Sequence, residues 1–123
     1  MTKIFISQPM ADKTNEEIIE ERRRIEKYAI NTEKRLGNDD VLFLDSFFDD
    51  YNDISNDNEC FSGINKPVWY LARSVNMLSS ADVVYFAPEW YEYRGCRIEQ
   101  DICLWYDIRH EYCPDFGMEI EDD

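Results

Sequence analysis

Positive charge is scarce in this chain. Of 123 residues, 13 are Lys or Arg against 27 Asp or Glu, a formal net charge of −14. Binding to a duplex or to an anionic membrane needs a basic footprint on the protein, so neither nucleic acid nor a membrane is an expected partner. Long apolar runs are absent too, and none approaches the roughly 20 residues of a membrane span. The first residues run directly into an apolar strand pattern, with no basic stretch, apolar core and small-residue cleavage site ahead of it. No secretory signal is therefore expected, and the expected location is cytoplasmic. Cysteine pairs at CxxC spacing are also missing: Cys60, Cys96, Cys103 and Cys113 stand apart. A disulfide framework is not expected in that setting. Cys103, His110 and Cys113 match no common zinc spacing and lack a fourth ligand. No metal and no cofactor are expected.

What is present suffices for a core. Hydrophobic residues make up 44% and aromatics 15% of the chain, which excludes wholesale disorder. The length fits one domain over residues 1–123. The acidic stretch 39–59 and the acidic tail from about residue 114 read as solvated surface.

Residues 3–7, Lys-Ile-Phe-Ile-Ser, predict a strand buried on both faces, as in a parallel sheet. Thr14 with Glu17 three residues on is a capping-box pattern that opens a helix. Ile18, Ile25, Ala29 and Leu36 form its apolar stripe, and Gly37-Asn38 stops it. A second strand covers 41–44. Residues 46–65 have no clear period but hold Phe47, Phe48, Tyr51 and Phe61. A lid, an oligomer contact and a surface loop pinned by aromatics all fit that segment. Pro67 opens a second helix with Val68, Leu71, Val75 and Leu78 on one face. A third strand covers 82–87. After a loop, Gly95 precedes a last helix whose inward face is read as Ile98, Ile102 and Trp105. Residues 116–120 make a short edge strand or a tail.

The order β-α-β-α-β-α predicts an α/β fold: a small Rossmann- or flavodoxin-like three-layer domain with a parallel sheet of central order 2-1-3. Ligands in such sheets bind at the carboxyl edge where strand order reverses. The loops there are 7–13 and 87–99. Asp82, by contrast, starts its strand at the opposite edge and is expected to serve the turn.

In the second of those loops Gly95 allows close approach of a ligand, and Glu99 falls near the first turn of the helix. The helix dipole favours an ionised carboxylate there, able to act as a nucleophile at a sugar carbon or as a general base. By spacing alone, a Glu that only serves the dipole is the commoner case. Trp90, Tyr91 and Tyr93 offer flat surfaces for stacking on a ring. Arg94 and Arg97 are candidate ligand contacts, because a phosphate needs local positive charge in so acidic a chain; pairing with surface acids is the plain alternative.

Lys3-Ile4-Phe5-Ile6-Ser7-Gln8-Pro9-Met10, the Ser80-Ala81-Asp82-Val83-Val84 strand entry and the Gly95-x-x-x-Glu99 element together resemble the nucleoside 2-deoxyribosyltransferase-like superfamily, in particular its small domains from bacteria and phages. The resemblance covers most of residues 3–108. It implies that Glu99 is a nucleophile at C1′ of a deoxynucleoside or its monophosphate. The sugar then passes to another base or to water. The carboxyl-edge loops put the expected ligand site around Ser7, Gln8, Pro9, Met10, Trp90, Arg94, Gly95 and Arg97, and the resemblance implies a homo-oligomer whose neighbouring subunits help complete the pocket. The Gly-Ser loop of the family's monophosphate hydrolases is replaced by Gln8-Pro9-Met10, and two catalytic positions depart from the pattern: Phe5 stands where the family has Tyr, and Ser74 where it has Asp. These motivate an alternative, a nucleotide-binding or sequestering module without turnover. A protein–protein adaptor that keeps only the fold is a third reading.

Overall fold

The computed structural model describes residues 1–44 and 65–116. The elements in order are β1 (Thr2–Ser7), α1 (Asn15–Arg35), β2 (Val41–Leu44), α2 (Lys66–Leu78), β3 (Val83–Phe86), a 3₁₀ turn (Trp90–Glu92), α3 (Arg94–Trp105) and β4 (Arg109–Tyr112). All strand pairs are parallel, in the order β2-β1-β3-β4. The fold is thus α/β with a small Rossmann-like parallel sheet, and the expected central order 2-1-3 is observed. The expected three-strand sheet gains a fourth member, because Arg109-His110-Glu111-Tyr112 pairs with β3. This edge strand is largely polar, so no apolar run announces it. Phe116 packs instead into the core cluster beside α1; the rest of the strand expected at 116–120 lies outside the described residues. So do the aromatic stretch 47–61 and Cys60.

Alternation along β1 sends its side chains to two cores. Ile4 and Ile6 join Val83, Tyr85, Ile25 and Ala29 under α1. Phe5 joins Val84, Phe86, Leu78 and Cys103 under α2 and α3. Ser7 shares the strand face of Phe5, which brings its hydroxyl toward α3. This placement decides what can stand beside Glu99.

The helix ends follow the sequence closely. The Thr14 hydroxyl accepts from the Glu17 N–H at 3.1 Å, and the Glu17 carboxylate accepts from the Thr14 N–H at 2.9 Å. These bonds hold the Glu17 carboxyl below its usual pKa. Gly37 takes φ +91° at the far end, a conformation in which only glycine avoids a Cβ clash. The inward faces differ from expectation. Leu36 is 58% exposed and caps the helix, while Glu33 takes the last buried place on the stripe. On α2, Val68 is exposed and Leu78 buried, and Asn65 is the N-cap, its side chain accepting from the Val68 N–H. On α3 the buried set is Cys96, Glu99 and Cys103. Ile98 and Trp105 point outward, Trp105 being 75% exposed.

Asp82 serves the amino edge of the sheet as expected. Its carboxylate accepts from the Lys3 N–H at 2.8 Å, and its own N–H donates to the Lys3 carbonyl at 2.8 Å. Among the described residues no helix is long and apolar enough to cross a membrane.

Candidate functional site

A cavity of about 540 Å³ opens at the carboxyl edge of the sheet, beside the end of β1. Three segments wall it. The β1–α1 loop gives Gln8, Pro9, Met10 and Asp12; α2 gives Tyr70, Leu71 and Ser74; the start of α3 gives Arg94, Gly95 and Glu99. This is the volume range of small-molecule sites. The expected reversal of strand order at β1 and β3 creates it, since the loops after the two strands run apart.

Glu99 is a buried carboxyl group of this cavity, at 6% exposure. The Ser7 hydroxyl donates to its Oε1 at 2.6 Å. Its Oε2 has no hydrogen-bond partner among the described residues and is not one of the sealed, unpartnered buried atoms. Burial raises the Glu99 pKa and the Ser7 bond lowers it; burial wins, leaving it pushed up to about 7. The expected dipole-stabilised ionised carboxylate is therefore corrected. α3 begins at Arg94, so Glu99 lies in the second turn, beyond the reach of a dipole that fades within the first, and desolvation dominates. A carboxyl shifted toward neutral pH by burial is the kind of perturbed group that marks a functional-site candidate.

The thiols beside it do not compete. Burial pushes Cys96 up to about 12 and Cys103 up to about 11, the Glu99 charge adding to both shifts. Neither forms a thiolate at neutral pH. Cys96 and Cys103 are buried and outside any disulfide. No group of three or more His, Cys, Asp or Glu that would hold a metal is found among the described residues.

The remaining residues expected at the site divide. Gln8, Pro9, Met10, Arg94 and Gly95 line the cavity with Glu99, and Ser7 stands behind the carboxylate. Gln8 is also a tie to α1: its amide donates to the Ile18 carbonyl at 2.7 Å and to Glu21 at 3.2 Å. Trp90 and Arg97 lie outside the cavity lining. Trp90 stacks on Tyr112 at 5.3 Å and packs against Phe86 at 5.4 Å, so its ring is occupied by β3 and β4. Arg97 is exposed on α3. Glu92 lines the cavity, whereas Glu89 belongs to a separate hollow of about 470 Å³ along α1, walled by Glu16, Glu20 and Asp115. Of the α2 residues, the resemblance pointed to Ser74, while Tyr70 and Leu71 escaped sequence reasoning. Leu71 reads as core in a periodic stripe, and nothing in the spacing shows that this stripe faces a void.

Gly95 shows what the cavity asks of its wall. A Cβ built there meets only Leu71 Cδ1, at 4.0 Å, and the backbone needs no positive φ. The fold itself does not require glycine. Gly95→Ala is expected to keep or raise stability by about 0.5–1 kcal/mol, since glycine is the poorer helix residue. It also puts a methyl into the lining, so ligand affinity should fall while the melting temperature does not. Melting and titration calorimetry on one preparation check both halves.

No protein-family model matches this chain, and no curated protein or solved structure matches it significantly.

Proposed function

We propose that the chain is a nucleoside or deoxynucleotide N-glycosidase or 2-deoxyribosyltransferase, with Glu99 as the nucleophile at C1′. The observation that carries this reading is the buried Glu99 carboxylate in the cavity wall, one oxygen held by Ser7 and the other unpartnered among the described residues. The resemblance of the 3–10 and 95–99 elements to the deoxyribosyltransferase-like pattern supports it. In the reaction a Glu99 oxygen bonds to C1′ as the C1′–N bond breaks. The bonding pair leaves on the base nitrogen, which takes up a proton. Water or a second base then attacks C1′, displaces the carboxylate and regenerates Glu99. The ligand is a nucleoside or nucleotide. Arg94 is the charged contact for a phosphate, and the chain works as a cytoplasmic homo-oligomer. Incubation with a panel of deoxynucleosides and their monophosphates should release free base; none released from any member, with or without an acceptor base, counts against turnover.

A second reading, ligand binding without turnover, has its own observation. Phe5 and Ser74 both line the cavity, so these positions offer an apolar ring and a neutral hydroxyl where the resemblance leads one to expect a phenol and a carboxylate. Nucleotide bound tightly and recovered intact supports that reading. Absence of binding across the panel removes it and leaves the adaptor.

A further inference from the structure

We propose that Ser7 is a positioning residue for Glu99: its hydroxyl holds Oε1, fixes the plane of the carboxylate, and reserves Oε2 as the oxygen that meets the ligand. This deepens the reading of Glu99 as the working group and rests on it.

The geometry is specific. Ser7 ends β1 and is 1% exposed, so water does not substitute for its partner. The bond to Oε1 is 2.6 Å, the length of a charge-assisted O–H···O⁻ contact. Ser7 sits on rigid backbone. Its carbonyl accepts from the Ala87 N–H at 3.0 Å, and it is in register with Phe86 of β3. A carboxylate anchored by one oxygen to a strand loses torsional freedom before the ligand arrives, which is the positioning that covalent catalysis needs. A hydroxyl also favours the charged carboxylate against burial, and so sets the pH at which Glu99 becomes nucleophilic.

The groups that face Glu99 are few. From α3 come the Cys96 and Cys103 thiols, both neutral in the range of interest. From α2 comes Tyr70, and from the loops Asp12, Tyr93, Glu92 and Arg94 line the same cavity. Of these charged groups, Asp12, Glu92 and Arg94 are exposed and screened by solvent. The hydroxyl of Ser7 is therefore the main opponent of burial at this carboxyl.

Titration of the Glu99 side-chain carboxyl by carbon NMR, in wild type, Ser7→Ala and Ser7→Thr, tests this without any substrate. Glu99→Gln identifies the signal. Loss of the hydroxyl in Ser7→Ala should move the midpoint up from about 7 by about one pH unit. Ser7→Thr, which keeps a hydroxyl, should return it toward wild type. An unmoved midpoint in Ser7→Ala, or equal shifts in the Ala and Thr variants, overturns the proposal. Where base release is measurable, Ser7→Ala should lower kcat more than it raises KM, because the bond orients the nucleophile rather than the ligand. A failed glycosidase assay with the expected titration leaves the positioning role standing. A failed titration in an active enzyme removes Ser7 alone.

Discussion

Glu33→Ala is expected to lower stability by about 2–3 kcal/mol at pH 7, mostly by leaving the buried Tyr85 hydroxyl unsatisfied, because the Arg109 side of the ion pair is open to solvent. Glu33 is 0% exposed. Its Oε2 accepts from the Tyr85 hydroxyl at 2.5 Å, and its Oε1 accepts from Arg109 at 2.6 Å and from Asn38 at 2.9 Å. One carboxylate thus ties the end of α1 to β3 and to the edge strand β4. Alanine leaves the buried Tyr85 hydroxyl without an acceptor, and Arg109 without its closest one. In a domain stable by about 5–15 kcal/mol in total, that is a large share, and urea denaturation by circular dichroism will read it. Glu33→Leu with Tyr85→Phe removes both ends of the buried bond and should recover much of the loss. A double variant no better than Glu33→Ala would place the damage in helix packing.

The same network has a pH signature. Burial alone would raise the Glu33 pKa, but the bonds from Arg109, Tyr85 and Asn38 outweigh it and hold it below the usual carboxylate value. A depressed folded-state pKa adds stability above the unfolded value, here 4.5, and that stability is lost as pH falls through the folded pKa. Acid unfolding should therefore begin below about pH 4.5 in wild type, and Glu33→Gln should be less sensitive to pH in that range.

Sequence pattern revealed the scaffold because the scaffold is locally encoded. The capping box at Thr14, the stop at Gly37 and the doubly apolar run of β1 each depend on residues a few positions apart. Glu33 was illegible for the opposite reason. Its partners Tyr85 and Arg109 lie 52 and 76 positions away, and a charged letter on a helix reads as surface until those partners are in place. The inward face of α3 shows the same failure. Ile98 and Trp105 carry apolar signal yet point outward, Ile102 packs against the core as expected, and the buried set is Cys96, Glu99 and Cys103. At the site, the location of Glu99 was legible from the strand–loop–helix order, while its electrostatics were not. A dipole argument uses only the helix, whereas the dominant effect, desolvation, arises from β1, α2 and the loops closing around it.

Those electrostatics set stability against reactivity at one residue, and Glu99→Gln is expected to separate them. The folded pKa of about 7 lies above the ordinary 4.5. A raised carboxyl pKa means that the folded protein holds the proton more tightly than the unfolded chain. Stability is then highest below pH 4.5 as far as this group decides it, falls as pH rises toward 7, and levels off above. The interval corresponds to about 3 kcal/mol. Glutamine keeps an oxygen for the Ser7 hydroxyl and cannot ionise, so Glu99→Gln should be more stable than wild type by up to about 3 kcal/mol at pH 8 and nearly equal to it at pH 4.5. Urea midpoints at the two pH values measure this, and a constant difference would mean that Glu99 ionises normally. The same substitution removes the proposed nucleophile, so on that reading base release should fall by at least about a thousandfold. In wild type, that activity should rise with pH around a midpoint near 7, where the carboxylate forms. On the proposed reading, the pH range that would arm the site is the one that weakens the fold, the trade expected where a buried group serves chemistry.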